Sequence, residues 1–572
     1  MSTGQLAIAI CSVFALQVYL AAGCEVSADP SAPDSCGLPG KLANFQGYFE
    51  CDGDVVVGKP RSLSELQDQV LQYDRVKAVG VGHSWWQQQF CSGKDSNSVN
   101  IVLTQMNNTM QEGSNPTDAS ASSAVMKVDE DENTVTVQAG VVQRDLLDYL
   151  ANYSSRKAPQ GYTLPAFSWF IDQTIGGAVA TATHGSSLRH GSLSNQVTSI
   201  QAVLANGTVA NFSLGLNKHL WRAMQVSVGR LGLITQLTLN IVPQQSVQRV
   251  EQDMTVAKFA DQVKQVQDAY LRAKQTGAPS AVWTALHSLN ETQCFWYVPT
   301  GDLWRVDYQR LEEQPDDAIS NTIPQVTAMD GPDADIGTYS QQQQQPVSLQ
   351  ELMNSDAQRW SNTYAAGMRS TVTPGVYEAR SAYLSMSEAA SVASSNFAPY
   401  DQYEVSIPLE VAGDCLHMVL GEIDSKQLGE GFRTPGLIRF VSQDTGYLSP
   451  TSDGPRMFVN LEDYLSHTTG TMNTEFQTVI DLFHDKCNAR MHWGKAGWPE
   501  HEPCYDGSKL LPKTWCHFGC AVQELDPTGK FASESNVWDW SASRQGRNVT
   551  FDSCCGPTGF STDCTCAPRR AC

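Results

Sequence analysis

Two short stretches of this chain combine residues that let a ligand reach main chain with a side chain able to react. Gly80-Val81-Gly82-His83-Ser84 follows a short apolar run, and the segment from Thr174 to Val197 reads TIGGAVATATHGSSLRHGSLSNQV. Gly176 and Gly177 carry no Cβ, so backbone N–H groups there can approach a bound group closely. Small residues from Ala178 to Thr183 keep the wall thin, which suits a diphosphate or a flat ring laid on main chain. Thr174, Thr183, His184, Gly185 and Ser186 belong to the same wall. On glycine content alone, a tightly packed strand and turn would read the same way. His83 sits at the tip of its turn, as either a hydrogen-bonded loop residue or a functional imidazole.

Both stretches need elements to hold them. Ser62 to Tyr73 places Leu63, Leu66, Val70 and Tyr73 at helical spacing, with Ser62 and Glu65 set as a capping box. Val76 to Val79 reads as a buried strand running into Gly80. Val135 to Ala139 alternates as a strand, and Asp145 to Tyr153 carries a helical apolar face. Val197 to Phe212 gives two strands about the turn dipeptide Asn206-Gly207. Leu231 to Val242 closes this region, preceded by Val228-Gly229-Arg230-Leu231-Gly232. Further on, a helical pattern (Val256 to Lys274) alternates with strand patterns at Val282 to Leu289, Tyr403 to Leu409 and Leu437 to Phe440. Gln314 to Pro346, with five consecutive glutamines, reads as a disordered surface insertion.

The whole chain limits the function classes. Its 572 residues allow two or more domains with large cores. A net charge of -22 excludes nucleic acid as a partner, which needs a basic footprint. The apolar run ending at Ala22 reads as a secretory signal peptide lacking a preceding Lys or Arg or, since it borders on spanning length, as a transmembrane anchor. No other long apolar run follows, so no stable membrane span is expected once the signal is removed. Sixteen cysteines, many near the C-terminus, and sequons at Asn107, Asn152, Asn206, Asn211, Asn290 and Asn548 agree with export and disulfide formation. Removing Cys11 with the signal leaves an odd number, so one thiol is free, intermolecular or cleaved away. The cysteine spacings are not those of zinc ribbons, and no metal is expected.

The turn Gly80 to Ser84, the TIGGAVATATHGSS segment and Gly-Ser-Leu-Ser-Asn-Gln-Val together resemble the FAD-binding domain of the vanillyl-alcohol-oxidase (PCMH-type) flavoproteins. Within that superfamily the match is nearest the aldonolactone oxidases, in particular the secreted plant-type L-gulonolactone-oxidase-like proteins with their Cys-rich tails. The resemblance implies an α+β fold: a two-subdomain FAD-binding domain (43–243), an α+β substrate or cap domain (244–480), and a C-terminal return (481–531). A signal (1–23) and lead (24–42) would precede these, and a Cys-rich tail (532–572) would follow. FAD would lie between Gly80, Val81, Gly82, His83, Ser84 and the wall formed by Thr174, Gly176, Gly177, Thr183, His184, Gly185 and Ser186, with Gly232 and Ile234 from the last glycine motif. His83 would be linked covalently to the flavin. Met491-His492-Trp493-Gly494-Lys495 resembles the motif that brings a lysine to the flavin, and Leu437-Ile438-Arg439-Phe440 the strand that supplies an arginine. Lys495, Arg439 and His492 are therefore the candidate catalytic residues.

By the same resemblance the substrate is a small sugar lactone, such as L-gulono-1,4-lactone, or an alditol. Its hydride would pass to flavin N5, and O2 would reoxidise the flavin to give H2O2. Leu437 departs from the family, whose animal-type members place a substrate-contacting glutamate there, and Glu404 and Glu410 are the nearby substitutes. Ser168 stands at the oxygen-access position, where the residue separates oxidases from an oxygen-insensitive lactone dehydrogenase. The alternative reading is a secreted, non-catalytic binding protein on the same scaffold. Cell-wall association is a further expectation of secretion.

Overall fold

The computed structural model describes residues 38–567 except 41, 45–48, 53–54, 94–96, 109–124, 312–373, 384–399, 499–503, 534 and 536. The N-terminal apolar run, the Gln314 to Pro346 insertion and Cys572 lie outside the described residues.

A four-stranded sheet holds the first glycine turn: β1 (Leu38–Gly40), β2 (Val55–Gly58), β3 (Arg75–Val79) and β4 (Ser98–Val102), in the order β1-β2-β4-β3. β4 runs parallel to both β2 and β3. Helix α1 (Leu63–Gln72) crosses from β2 to β3 and buries Leu66 and Val70. Ser62 Oγ accepts from the Glu65 N–H at 3.2 Å, while Glu65 Oε2 accepts from the Arg61 N–H at 2.8 Å. The cap is thus closed from both sides, its return arm one residue earlier than in the usual box.

The second subdomain is an antiparallel five-stranded sheet, β5-β6-β10-β8-β9. It begins with β5 (Met126–Asp129) and β6 (Thr134–Gln138), after which come α2 (Gln143–Asn152), the short β7 (Tyr162–Thr163) and α3 (Ile175–Ala180). β8 (Val197–Val203) and β9 (Val209–Ser213) meet at Asn206-Gly207, where Gly207 takes φ +76° and Asn206 Oδ1 accepts from the Thr208 N–H. β10 (Leu233–Asn240) lies between β6 and β8, with Leu237 and Leu239 fully buried. β11 (Val242–Pro243) pairs with β7 and leads out of the domain.

The cap is built on one antiparallel eight-stranded sheet, β15-β12-β14-β13-β17-β18-β16-β19. Its strands are β12 (Ser246–Thr255), β13 (Thr292–Tyr297), β14 (Asp302–Arg310), β15 (Gly375–Glu378), β16 (Asp401–Pro408), β17 (Gly436–Val441), β18 (Arg456–Asp463) and β19 (Arg490–Met491). Helices α4 (Val256–Thr276), α6 (Ala412–Lys426) and α7 (Thr474–Cys487) pack on it, with Phe259 against Phe440 and Phe476 against Tyr403. Between α4 and β13, Val282 to Leu289 folds as α5 (Pro279–Leu286) and a 3-10 turn, not as the expected strand. Pro279 in the first turn favours the helix, since its missing N–H has no intrahelical partner to lose, and only Leu286 and Leu289 are buried.

The C-terminal segment returns to the first subdomain. The Lys530 carbonyl accepts from the Val76 N–H at 2.9 Å, and Lys530 Nζ donates to the carbonyls of Val70 and Tyr73. Helix α8 (Trp515–Leu525) anchors the tail through Cys516–Cys566 and Cys520–Cys555, and Cys554–Cys564 closes the tail on itself. Elsewhere Cys51 bonds Cys91 and Cys415 bonds Cys487, while Cys294 is a buried free thiol on β13. A stack of indoles, Trp86, Trp498, Trp493 and Trp538, spans from the His83 turn to the tail with ring centroids 4.6, 4.7 and 5.3 Å apart in that order. Stacked aromatics add to their buried area a geometric preference of about 0.5–1.5 kcal/mol per pair. The stack fixes the backbone on either side of Lys495.

Candidate active site

A cavity of about 1530 Å³, mouth included, lies between the cofactor domain and the cap sheet. One wall is glycine-rich main chain. β3 leads directly into Gly80, where an added Cβ would sit 2.1 Å from Thr174 Oγ1, so the two predicted glycine segments touch each other. Gly176 opens α3 against Ala139, whose Cβ would be 2.7 Å from any side chain placed there. Gly82 takes φ +81° and carries the turn into His83.

The His83 ring packs edge-on to Phe170 at 4.6 Å and donates to the Asp172 carbonyl. Burial, then the positive charge of Lys495, lower its pKa to about 3 despite that bond. It is therefore a neutral imidazole at physiological pH, with the proton on the nitrogen facing Asp172 and a lone pair on the other.

The opposite wall is polar, and strand alternation explains why. On β16, β17 and β18, Gln402, Glu404, Leu437, Arg439, Asn460 and Glu462 line the cavity, while Tyr403 and Phe440 face the helices. Register sets Glu404 and Leu437 on either side of Asn460, and Gln402 beside Glu462. Arg439 reaches over β18 to pair with Glu404, and its Nη1 donates to the His184 carbonyl at 2.8 Å. Burial acts to raise the Glu404 carboxyl, but Arg439, His184 and His492 outweigh it and hold the group well below the usual range. His184 Nε2 lies 3.2 Å from Glu404 Oε1 without hydrogen-bond alignment, and its Nδ1 contacts the Gly185 carbonyl at 2.8 Å.

The segment after β19 brings in the last two groups. The His492 N–H donates to the Glu404 carbonyl at 2.9 Å, and His492 Nδ1 accepts from the Gly494 N–H at 3.1 Å. Burial lowers the His492 pKa to about 3. Lys495 Nζ donates to Gln402 Oε1 and lies 4.8 Å over the Trp85 ring. Burial, only partly offset by Glu404, lowers its pKa to about 8. Gln402 in turn donates to Glu462 at 3.1 Å, and burial raises the Glu462 carboxyl. His184, Glu404 and His492 offer ligand atoms within 4.8 Å of one another, but the Arg439 guanidinium already occupies the counter-ion position of that carboxylate.

Of the residues singled out in the sequence, Gly80, Val81, Gly82, His83, Ser84, Thr174, Gly176, Gly177, Thr183, His184, Gly232, Ile234, Arg439, His492 and Lys495 all line this cavity. Gly185 and Ser186 lie behind it. A Cβ on Gly185 would meet the Phe167 carbonyl at 2.1 Å, and Ser186 Oγ accepts from the Phe440 N–H, tying the wall to the cap. Ser168 lines the cavity with its hydroxyl turned to the Phe170 N–H at 3.2 Å. Glu410 does not share the face of Glu404: β16 ends at Pro408, and Glu410 pairs with Lys274 at 2.8 Å. Gln402, Asn460 and Glu462 escaped the sequence reading. Their signal was the alternation of Gln402, Glu404 and Ser406 with Tyr403, Val405 and Ile407, and of Asn460 and Glu462 with Val459 and Leu461.

The comparisons with known proteins agree with this geometry. A family profile described as an FAD binding domain matches residues 55–213, and one described as D-arabinono-1,4-lactone oxidase matches residues 344–540. The L-gulonolactone oxidase of Bos taurus is 24% identical over 500 residues, covering 86% of this chain and 96% of that protein. The L-gulono-1,4-lactone dehydrogenase of Mycobacterium tuberculosis is 25% identical over 503 residues, covering 86% and 97%. Cholesterol oxidase from Brevibacterium sterolicum shares the fold at TM-score 0.61 and 13% identity, covering 89% of this chain and 98% of that one. With the glycine walls and the two cap cations on one cavity, the chain belongs to the aldonolactone-oxidase branch of the PCMH-type FAD flavoproteins.

Proposed function

We propose that the protein oxidises a sugar lactone, L-gulono-1,4-lactone or a close relative, with O2 as the final acceptor and FAD attached through His83. The cavity fits the cofactor on its own geometry: Gly229 lines it with nothing within 4 Å of where a side chain would begin, so a Cβ there would take up the bound group's space, while Gly80 and Gly176 bring main chain to the wall by packing against Thr174 and Ala139. Gly80 to Ser84, Thr174, Gly176, Gly177 and Thr183 would hold FAD, with Gly232 and Ile234 below. When bound, FAD supplies the two-electron acceptor for a hydride from a substrate carbon.

The chain's own residues supply the rest. Arg439 and Lys495 present two positive charges to one cavity, which stabilise negative charge as it develops in a site shielded from water. Glu404 holds Arg439 in place rather than meeting substrate, being 1% exposed and already paired. Glu462 keeps partial access and accepts from Gln402, so it stands in for the carboxylate missing at Leu437 as a hydrogen-bond acceptor for a substrate hydroxyl. The neutral His83 carries the lone pair that attachment requires, which supports the covalent reading.

The observation that carries the proposal is the convergence of Arg439 and Lys495 on the glycine wall. Secretion is part of the same proposal, supported by five described disulfides that persist only in an oxidising compartment. Oxygen uptake and peroxide release on adding L-gulono-1,4-lactone, D-arabinono-1,4-lactone or alditols test it. Flavin reduction without oxygen uptake would move the protein to the dehydrogenases, and silence with every substrate would leave a binding protein.

A further inference from the structure

A second cleft of about 900 Å³, mouth included, opens on the cap where β16 ends, and no residue lines both it and the flavin cavity. Its charge runs against that of the chain. Lys274, Arg456, Arg490 and Lys513 line it against only two carboxylates, Glu410 and Asp453, in a protein of net charge -22. The carboxylates are unequally shared. Asp453 takes Arg490 at 2.6 and 2.9 Å, but Arg456 only at 3.4 Å. Arg456 is 1% exposed, its Nη1 donates to the Ser406 carbonyl at 2.8 Å, and its Nε has no partner. Burial and the neighbouring Arg490 charge lower its pKa to about 10, so its charge is under-compensated where it stands.

The far side of the cleft is the start of α8. Thr514 occupies the N-cap position, where a threonine normally gives its oxygen to the first turn's N–H groups. Here the side chain makes no cap bond, and Oγ1 is unpaired in a residue only 5% exposed that lines the cleft. An unsatisfied buried hydroxyl and guanidinium N–H are each costly. Both residues line the same cleft, and the partial positive charge at the N-terminus of the eleven-residue α8 favours an anion there.

We propose that this cleft is an oxyanion site, taking a phosphate, sulfate or sugar carboxylate between Thr514 Oγ1 and the Arg456 guanidinium, with Lys513 and Lys274 at the rim. The site is separate from the flavin cavity and does not depend on the proposed oxidation.

Calorimetric titration of the full-length, flavin-loaded protein in chloride-free buffer tests it, with inorganic phosphate, inorganic sulfate and D-galacturonate as probes. Saturable binding of at least one probe is expected. It should be about tenfold weaker in Thr514→Val, which loses one hydrogen bond to a charged group, and weaker in Lys513→Gln by a factor that shrinks as ionic strength rises. A cooperative thermal melt at the wild-type temperature confirms that each variant is folded. Preference for galacturonate assigns the site to sugar acids, and preference for phosphate or sulfate to inorganic oxyanions. No saturable binding of any probe, or equal affinity in wild type and Thr514→Val, overturns the proposal.

Discussion

Arg439 Nη1 donates to the His184 carbonyl oxygen at 2.8 Å, so a cap-sheet side chain closes onto the main chain of the glycine wall. The same guanidinium pairs with Glu404, which lies two strands away across β18. Arg439 is thus one joint between the two halves of the cavity, beside the Ser186–Phe440 hydrogen bond. Replacing it by methionine leaves Glu404 as a buried, unmatched carboxylate. The expected cost is about 3–5 kcal/mol, the usual penalty for breaking one side of a buried pair. The double variant Arg439→Met, Glu404→Leu should recover most of that stability in denaturant titrations while turnover stays lost. Recovery of turnover in the double variant would show that the guanidinium acts only as a brace.

Lys495 sets an alkaline limit. Its pKa is lowered to about 8, so the ammonium is present below that pH and is lost as pH rises through it. If its charge serves the reaction, the rate of flavin reduction should fall above about pH 8 and be steady below, down to the next titration. Lys495→Gln should remove that limb and lower the plateau by about a hundredfold, the scale of one lost electrostatic stabiliser. A variant that keeps the alkaline limb would place the titrating group elsewhere.

His83 should be the point of attachment. Acid denaturation followed by gel filtration separates free from bound flavin. Wild-type protein is expected to retain its flavin through this step, and His83→Ala to release it while still binding FAD when folded. Retention in the variant would send the search to another nucleophile.

Gly80 tests the contact between the glycine segments. Alanine there puts a methyl 2.1 Å from Thr174 Oγ1, inside any allowed contact. Thermal melts of Gly80→Ala should show a loss of about 1–3 kcal/mol from overpacking. Adding Thr174→Ala removes the oxygen and should return part of it. An unchanged melting temperature in Gly80→Ala would mean that the two segments do not meet as described.

Much of the cofactor half was legible in the sequence because its signals are local. Glycine pairs, the capping residues Ser62 and Glu65 and the Asn206-Gly207 turn each act within a few residues. The α5 helix was missed because an eight-residue apolar stretch does not fix its own period, and Pro279 is the cue that does. The cap wall was harder for a different reason. Arg439, Glu404, Glu462 and Lys495 come from four separate segments, and their meeting depends on strand order β17-β18-β16-β19, which no local pattern encodes. Glu410 shows the limit of alternation: it keeps parity with Glu404, but the strand has ended before reaching it.

The most direct measurement is anaerobic mixing of the purified, FAD-loaded protein with L-gulono-1,4-lactone while the visible flavin absorbance is followed. Bleaching in the wild type, much slower in Lys495→Gln and in Arg439→Met, is the expected result. Persistent colour with that lactone and with D-arabinono-1,4-lactone and alditols, in protein whose flavin dithionite still bleaches, would contradict the assignment.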